Sequence, residues 1–163
     1  MKHTLTSLVL GISLLFGSVG IGSAQDFHKG VDAYDKKDYA TALKEWRPLA
    51  EQGITDAQYN LGQMYRKGQG VVQDYEEAVK WYRKAAEQGY GRAQNNLGVR
   101  YFKGEGVVQD FVRAHMWCNL GGSNGSINGS KSRDLIAKRM TPAQIAEAQK
   151  LARECVRKKY KGC

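Results

Sequence analysis

The side chains best suited to chemistry are three cysteines, two isolated histidines and one adjacent carboxylate pair, and none is spaced for it. Cys118, Cys155 and Cys163 form no pair with each other or with histidine at metal-ligand spacing. His28 and His115 stand alone, and His3 falls in an N-terminal leader. Glu76 and Glu77 are neighbours, so on a helix they leave in different directions and cannot share one reacting group. The nucleophile patterns S-x-x-K and H-E-x-x-H are missing. Gly68-x-Gly70 and Gly104-x-Gly106 have no Lys-Ser or Lys-Thr behind them at phosphate-loop spacing. The expectation is therefore no catalysis, no metal and no cofactor.

What the cysteines do depends on where the chain goes. Residues 1–24 carry a basic head at Lys2, an apolar run over 8–21 and small residues at Gly22-Ser23-Ala24. The apolar run is too short and glycine-rich for a membrane span, and reads as a signal peptide cleaved near Ala24. No cysteine follows the cut, so no lipoprotein anchor and no transmembrane segment are expected in the mature chain, and the destination is the periplasm or beyond. An oxidising compartment favours one disulfide among three cysteines. Cys155 with Cys163, eight residues apart, would tie the tail to the last helix; Cys118 with Cys155 is the competing pairing.

The elements behind these residues are repeats. Residues 54–89 and 90–125 align without a gap, with 16 of 36 positions identical by direct comparison. Such a period marks a solenoid, whose units bury their apolar faces only against neighbours. Ala57/Ala93, Leu61/Leu97, Gly62/Gly98 and Tyr65/Tyr101 recur at helical spacing. Gly68 and Gly104 stand where a left-handed cap should end that helix, and Asp74 and Asp110 where the next should start, with Asp74 and Glu77 resembling a capping box. The second helix carries Ala78/Ala114 and Trp81/Trp117, and Trp81 is expected in the core.

The pattern A-x-x-L-G-x-x-Y-x-x-G-x-G-V-x-x-D-x-x-x-A-x-x-W-Y resembles the Sel-1-like repeat, a relative of the tetratricopeptide repeat. The resemblance implies an all-α, right-handed α/α solenoid whose first helices line a concave, protein-binding face. It also implies that the shared residues build a scaffold. Some cysteine-rich relatives bind or hydrolyse β-lactams, a reading the missing serine–lysine elements disfavour. Small secreted members resemble envelope immunity or regulatory factors that neutralise an exported effector, the narrower alternative to a general adaptor.

On this reading residues 25–163 form one domain. Units cover about 26–53, 54–89 and 90–125, with a C-terminal capping helix pair over about 126–163. The first unit is divergent, as terminal repeats tend to be, and Pro48 should bend or break its second helix. The run from Gly121 to Ser130 should be a mobile loop. Thr141-Pro142-Ala143-Gln144 opens a last helix burying Ile145, Ala148, Ala152, Cys155 and Val156.

Residues that differ between the copies on the first helices are the candidate partner contacts: Tyr59, Gln63 and Arg66, then Asn95, Val99 and Phe102. Charge adds a second surface. Residues 25–130 hold 14 basic and 13 acidic side chains, whereas 131–163 hold 10 and 3, so nearly all the excess lies at the C-terminus. Arg153, Arg157, Lys158, Lys159 and Lys161 form a basic patch suited to an acidic or envelope-associated partner. Nucleic acid is not expected for an exported chain without a nucleic-acid motif.

Overall fold

The computed structural model describes the backbone over residues 19–163 and side-chain environments from residue 24. The signal peptide expected over 1–24 lies outside the described residues as far as residue 18. Within them the chain is helical: α1 (Val19–Asp35), α2 (Tyr39–Glu51), α3 (Thr55–Lys67), α4 (Tyr75–Ala86), α5 (Gly91–Lys103), α6 (Phe111–Ser123), α7 (Gly129–Ala137) and α8 (Pro142–Arg157). Successive helices pair as α1·α2, α3·α4 and α5·α6, and the pairs stack through α2·α3 and α4·α5. The fold is the α/α solenoid expected from the repeats.

The unit boundaries follow from local chemistry. Gly68 and Gly104 end α3 and α5 at φ of 67° and 69°, in the left-handed region that costs glycine nothing. Asp74 and Asp110 cap α4 and α6 by accepting from the amides of Glu77 and Arg113 at 3.0 and 2.9 Å. The box at Asp74 does not close. Its amide already donates to the Tyr65 carbonyl, and the Glu77 carboxylate turns to Lys80. Thr141 and Gln144 do form a full box at the start of α8.

Other expectations change as well. Helix α2 runs unbroken through Pro48 to Glu51, because the proline lies in the last turn and the bond it forfeits falls at exposed Lys44. Gly121 and Gly122 are not loop residues but the end of α6, and their lack of side chains lets helices close in. A Cβ on Gly91 would sit 2.3 Å from the Asn124 carbonyl oxygen, and one on Gly129 would sit 2.2 Å from the Gly122 amide. In α8, Ala148, Ala152 and Cys155 are buried and Ile145 is half-buried, but Val156 is half-exposed on the outer side.

The core has two parts. Ala33, Ala42, Trp46, Leu49, Leu61 and Met64 fill the first, while Val79, Tyr82, Leu97, Trp117, Leu120 and Ile136 anchor the second. Tyr82, not Trp81, is the fully buried ring of α4; Trp81 lies half-buried with the Lys84 ammonium 4.2 Å above it. Both α7 and α8 pack on α6, the last helix of the repeat pairs. Cys155 and Cys163 are bonded, with Cα atoms 5.6 Å apart, and Cys118 is a buried free thiol.

Candidate partner-binding groove

The first helix of each pair faces one side of the solenoid, so α1, α3 and α5 together wall a groove. One stretch of it, about 360 Å³, is lined by Phe27, Val31 and Tyr34 from α1, by Tyr59, Asn60 and Gln63 from α3, and by Tyr90 and Arg92 at the start of α5. A second stretch, about 250 Å³, continues past Tyr59 and Arg92 to Asn95, Asn96 and the turn at Ser126–Asn128. The walls combine aromatic rings with amides and single charges, a composition that buries well yet leaves hydrogen-bonding capacity for a polar partner.

Gln63 organises the middle of the groove. Its amide nitrogen donates to the Tyr59 hydroxyl at 2.9 Å, and its carbonyl accepts from Arg66 Nε at 2.9 Å and from the Tyr82 hydroxyl at 2.8 Å. Gln63 is thereby committed inward and holds Tyr59 and Arg66 in place. Burial pushes the Tyr82 hydroxyl well above the ordinary tyrosine range, keeping it a neutral donor. Tyr59 also lies 5.3 Å from the Tyr90 ring, centroid to centroid, and the Tyr90 hydroxyl donates to Asp56 Oδ1 at 2.7 Å. Burial first, and that bond second, raise Tyr90 to about 12.

The six residues selected by their variation therefore divide. Tyr59, Gln63 and Asn95 line the groove, and Arg66 supports it through Gln63. Val99 and Phe102 do not line it; they pack against the core, Phe102 on Phe111 with ring centroids 5.6 Å apart. The wall also contains Asp56, Asn60, Tyr90 and Arg92, which the copy comparison passed over. Asp56 and Arg92 occupy equivalent positions with opposite charge, a signal that was available.

The basic residues Arg153, Arg157, Lys158, Lys159 and Lys161 are all exposed, at the end of α8 and in the tail beyond it. Lys159 and Tyr160 both have left-handed backbone, φ 51° and 65°, which turns the tail back toward the repeats. The Tyr160 hydroxyl donates to Asn124 Oδ1 at 3.2 Å, and its ring rests over Gly89. Among the described residues, no cluster of three or more His, Cys, Asp or Glu is placed to hold a metal ion. Among them too, no helix is long and apolar enough to cross a membrane.

Two pairs of identical residues at the repeat spacing join the units. Buried Gln58 and Gln94 donate to the Ala50 and Ala86 carbonyls, each at 3.0 Å. Arg47 and Arg83 reach the hydroxyls of Tyr65 and Tyr101 at 3.0 and 2.7 Å. Each bond crosses from one helix pair to the next and ties together the junctions that shape the groove.

Comparison with known proteins agrees with this architecture. The Sel1 repeat family pattern matches residues 55–90 and 91–126. Among solved structures, a protective antigen present in uropathogenic Escherichia coli strains, displaying an SLR fold, superposes with TM-score 0.79 and 32% identity over 85% of this chain. A Sel1 repeat protein from Oxalobacter formigenes superposes with TM-score 0.64 and 33% identity over 68% of it. The chain spans 30% and 45% of the lengths of these two proteins. No curated protein matches it.

Proposed function

The chain belongs to the Sel1 repeat family, whose members are in general protein–protein interaction modules, and from that premise we propose that it is a non-enzymatic adaptor holding another protein in its concave groove. The observation that carries the reading is the continuity of the groove across three helix pairs, with Tyr34, Tyr59 and Tyr90 presented on a frame of inter-unit hydrogen bonds. Such a frame loses little conformational entropy on binding, which is where association is otherwise costly. The Sel1 scaffold is typically non-catalytic, which supports binding as its task.

The mature protein in this proposal is residues 25–163, exported after removal of 1–24 and working in the periplasm or outside the cell. The bonded Cys155 and Cys163 support an oxidising destination. Three repeat units end in a cap formed by α7 and α8, which cover the face of α6 that a further unit would otherwise take. The basic tail is a secondary surface for an acidic or envelope-associated partner.

The test is partner capture from envelope fractions with the wild-type protein and with Asn60→Arg. Asn60 is half-exposed on the groove wall, so the substitution fills the groove without removing core packing. A specific partner should lose affinity by roughly 30-fold or more, the effect of blocking one well-packed contact. Equal retention by both proteins would exclude the groove.

A further inference from the structure

Two junctions between units are closed by the same chain of side chains, except for its last link. Between the first and second units, Gln58 donates to the Ala50 carbonyl, and Gln88 donates to the Gln58 side-chain carbonyl at 2.8 Å. The Thr55 hydroxyl completes that chain by donating to Gln88 at 2.9 Å. Between the second and third units, Gln94 donates to Ala86 and Asn124 donates to Gln94 at 2.8 Å. The local donor then drops out, because Gly91 stands at the repeat position of Thr55. Gln88 also donates to the Gly53 carbonyl at 3.0 Å, whereas Asn124, one methylene shorter, gives its amide to Gln94 alone among the described residues.

The C-terminal tail makes up for both. The Tyr160 hydroxyl donates to Asn124 Oδ1 at 3.2 Å, and its ring rests over Gly89, the repeat counterpart of Gly53. The tail is held there under constraint. Lys159 and Tyr160 are successive non-glycine residues with left-handed backbone, φ 51° and 65°, which an open chain relaxes. The Cys155–Cys163 bridge closes around them, and the Tyr160 amide donates to the Cys155 carbonyl at 2.9 Å. Asn124 directly precedes the Gly125–Asn128 turn, and Gln94 directly precedes Asn95; turn and Asn95 wall the far stretch of the groove.

We propose that oxidation of Cys155 and Cys163 is a maturation switch, seating Tyr160 as the donor the third unit lacks and so fixing the far end of the groove. The two thiols give up two electrons and two protons to a disulfide oxidant, which leaves as a dithiol while the new S–S bond forms. Cys163 is half-buried, and the bridge lines a surface cavity of about 130 Å³ with Arg113 and Lys158. Exchange reagents therefore have access, beside cations that favour the attacking thiolate. The inference rests on the export reading for the place where oxidation occurs: the groove is completed only once the chain reaches an oxidising compartment.

The test is hydrogen exchange, followed by NMR, on the purified protein with the bridge intact and after reduction with dithiothreitol. The first junction serves as the control. Reduction should speed exchange at the Gln94 and Ser126 amides roughly two- to tenfold, the weight of one hydrogen bond. Their repeat counterparts, Gln58 and Tyr90, should stay unchanged. Tyr160→Phe keeps the ring and the bridge but removes the donor. In the oxidised state it should shift the Asn124 side-chain amide and speed exchange at Ser126, whereas Thr55→Val should loosen only the first junction, in either redox state. Acceleration confined to residues 158–163 would overturn the switch, and so would equal acceleration at Gln58 and Tyr90. A silent Tyr160→Phe would overturn the role given to the hydroxyl. Export is read separately, from the first residue of protein recovered from the envelope, so its failure leaves the lock itself to stand or fall on exchange.

Discussion

Gly98 faces Cys118 so closely that a Cβ on the glycine would lie 2.6 Å from the sulfur. The same contact occurs in each helix pair. Gly62 meets the Tyr82 ring and Gly30 the Trp46 indole, and Trp46, Tyr82 and Cys118 are spaced 36 residues apart. The missing side chain on the first helix makes room for a buried group on the second. Along the chain that group shrinks from indole to phenol to thiol, and the backbones close in accordingly. A Cβ on Gly98 would meet the Ala114 carbonyl oxygen at 2.8 Å, against 3.3 Å for Gly62 and the Ala78 oxygen.

Gly98→Ala should therefore destabilise more than Gly62→Ala. Alanine gains up to about 1 kcal/mol in helix propensity, whereas overpacking costs about 1–3 kcal/mol. At Gly98 the obstruction is backbone and cannot yield, so a net loss of about 1–2 kcal/mol is expected. At Gly62 the nearest atoms belong to the Tyr82 ring, which has more freedom to shift. Urea unfolding of the two variants checks the order, and a larger loss at Gly62 would contradict it.

The two aromatics of α4 should differ as sharply. Tyr82→Ala removes a fully buried ring and should cost about 3–5 kcal/mol, while half-buried Trp81→Ala should cost clearly less. Tyr82→Phe forfeits one hydrogen bond to Gln63, which keeps Arg66, so a loss of about 1 kcal/mol is expected. Equal costs at Trp81 and Tyr82 would mean that α4 is rotated from the position described.

The difference between those aromatics shows what was legible in the sequence. Local chemistry was: the caps at Gly68, Asp74 and Thr141 depend on a residue and its near neighbours, and the period itself supplied the solenoid. Helix phase against a neighbour was not, because adjacent Trp81 and Tyr82 suit the core equally and only α3 decides between them. Composition also misled at Gly121 and Gly122, since glycine serves both a loose linker and the closest helix approach. In the groove, variation selected Tyr59 and Asn95 correctly as wall residues. It passed over Tyr90 and Ser126, which enter the wall from the turns before α5 and α7 rather than from the helices themselves.

Breaking the terminal disulfide should loosen the tail before anything else. The bridge closes a loop that holds Tyr160 over Gly89 and Asn124. For so short a loop the contribution should be about 2–3 kcal/mol. Cys163→Ser should lower stability by that amount and speed amide exchange around residues 158–163 while leaving α3 and α4 protected. Unchanged protection throughout would show that Tyr160 alone holds the tail.

The alkaline limb of stability should report on Cys118. Burial pushes its thiol up to about 12, from 9.0 in an open chain, so the native state keeps the proton over a range in which the unfolded chain releases it. A raised native value contributes stability that is complete below about pH 9 and is lost as pH climbs toward about 12. The slope approaches about 1.4 kcal/mol per pH unit inside that window. His115 acts at the other end: burial, then nearby Arg133, lowers it from 6.5, so its contribution is present above pH 6.5 and fades on acidification. Urea midpoints should therefore be flat between about pH 7 and 9 and fall on both sides. Cys118→Ala should shift the plateau down for lost packing and flatten the limb between about pH 9 and 10, leaving the fall above pH 10 that raised Tyr82 and Tyr90 contribute, while His115→Gln should flatten only the limb below 6.5. In the native protein Cys118 should also resist thiol reagents at pH 8 and react fully in denaturant. An alkaline slope identical in wild type and Cys118→Ala would assign that limb to the buried tyrosines instead.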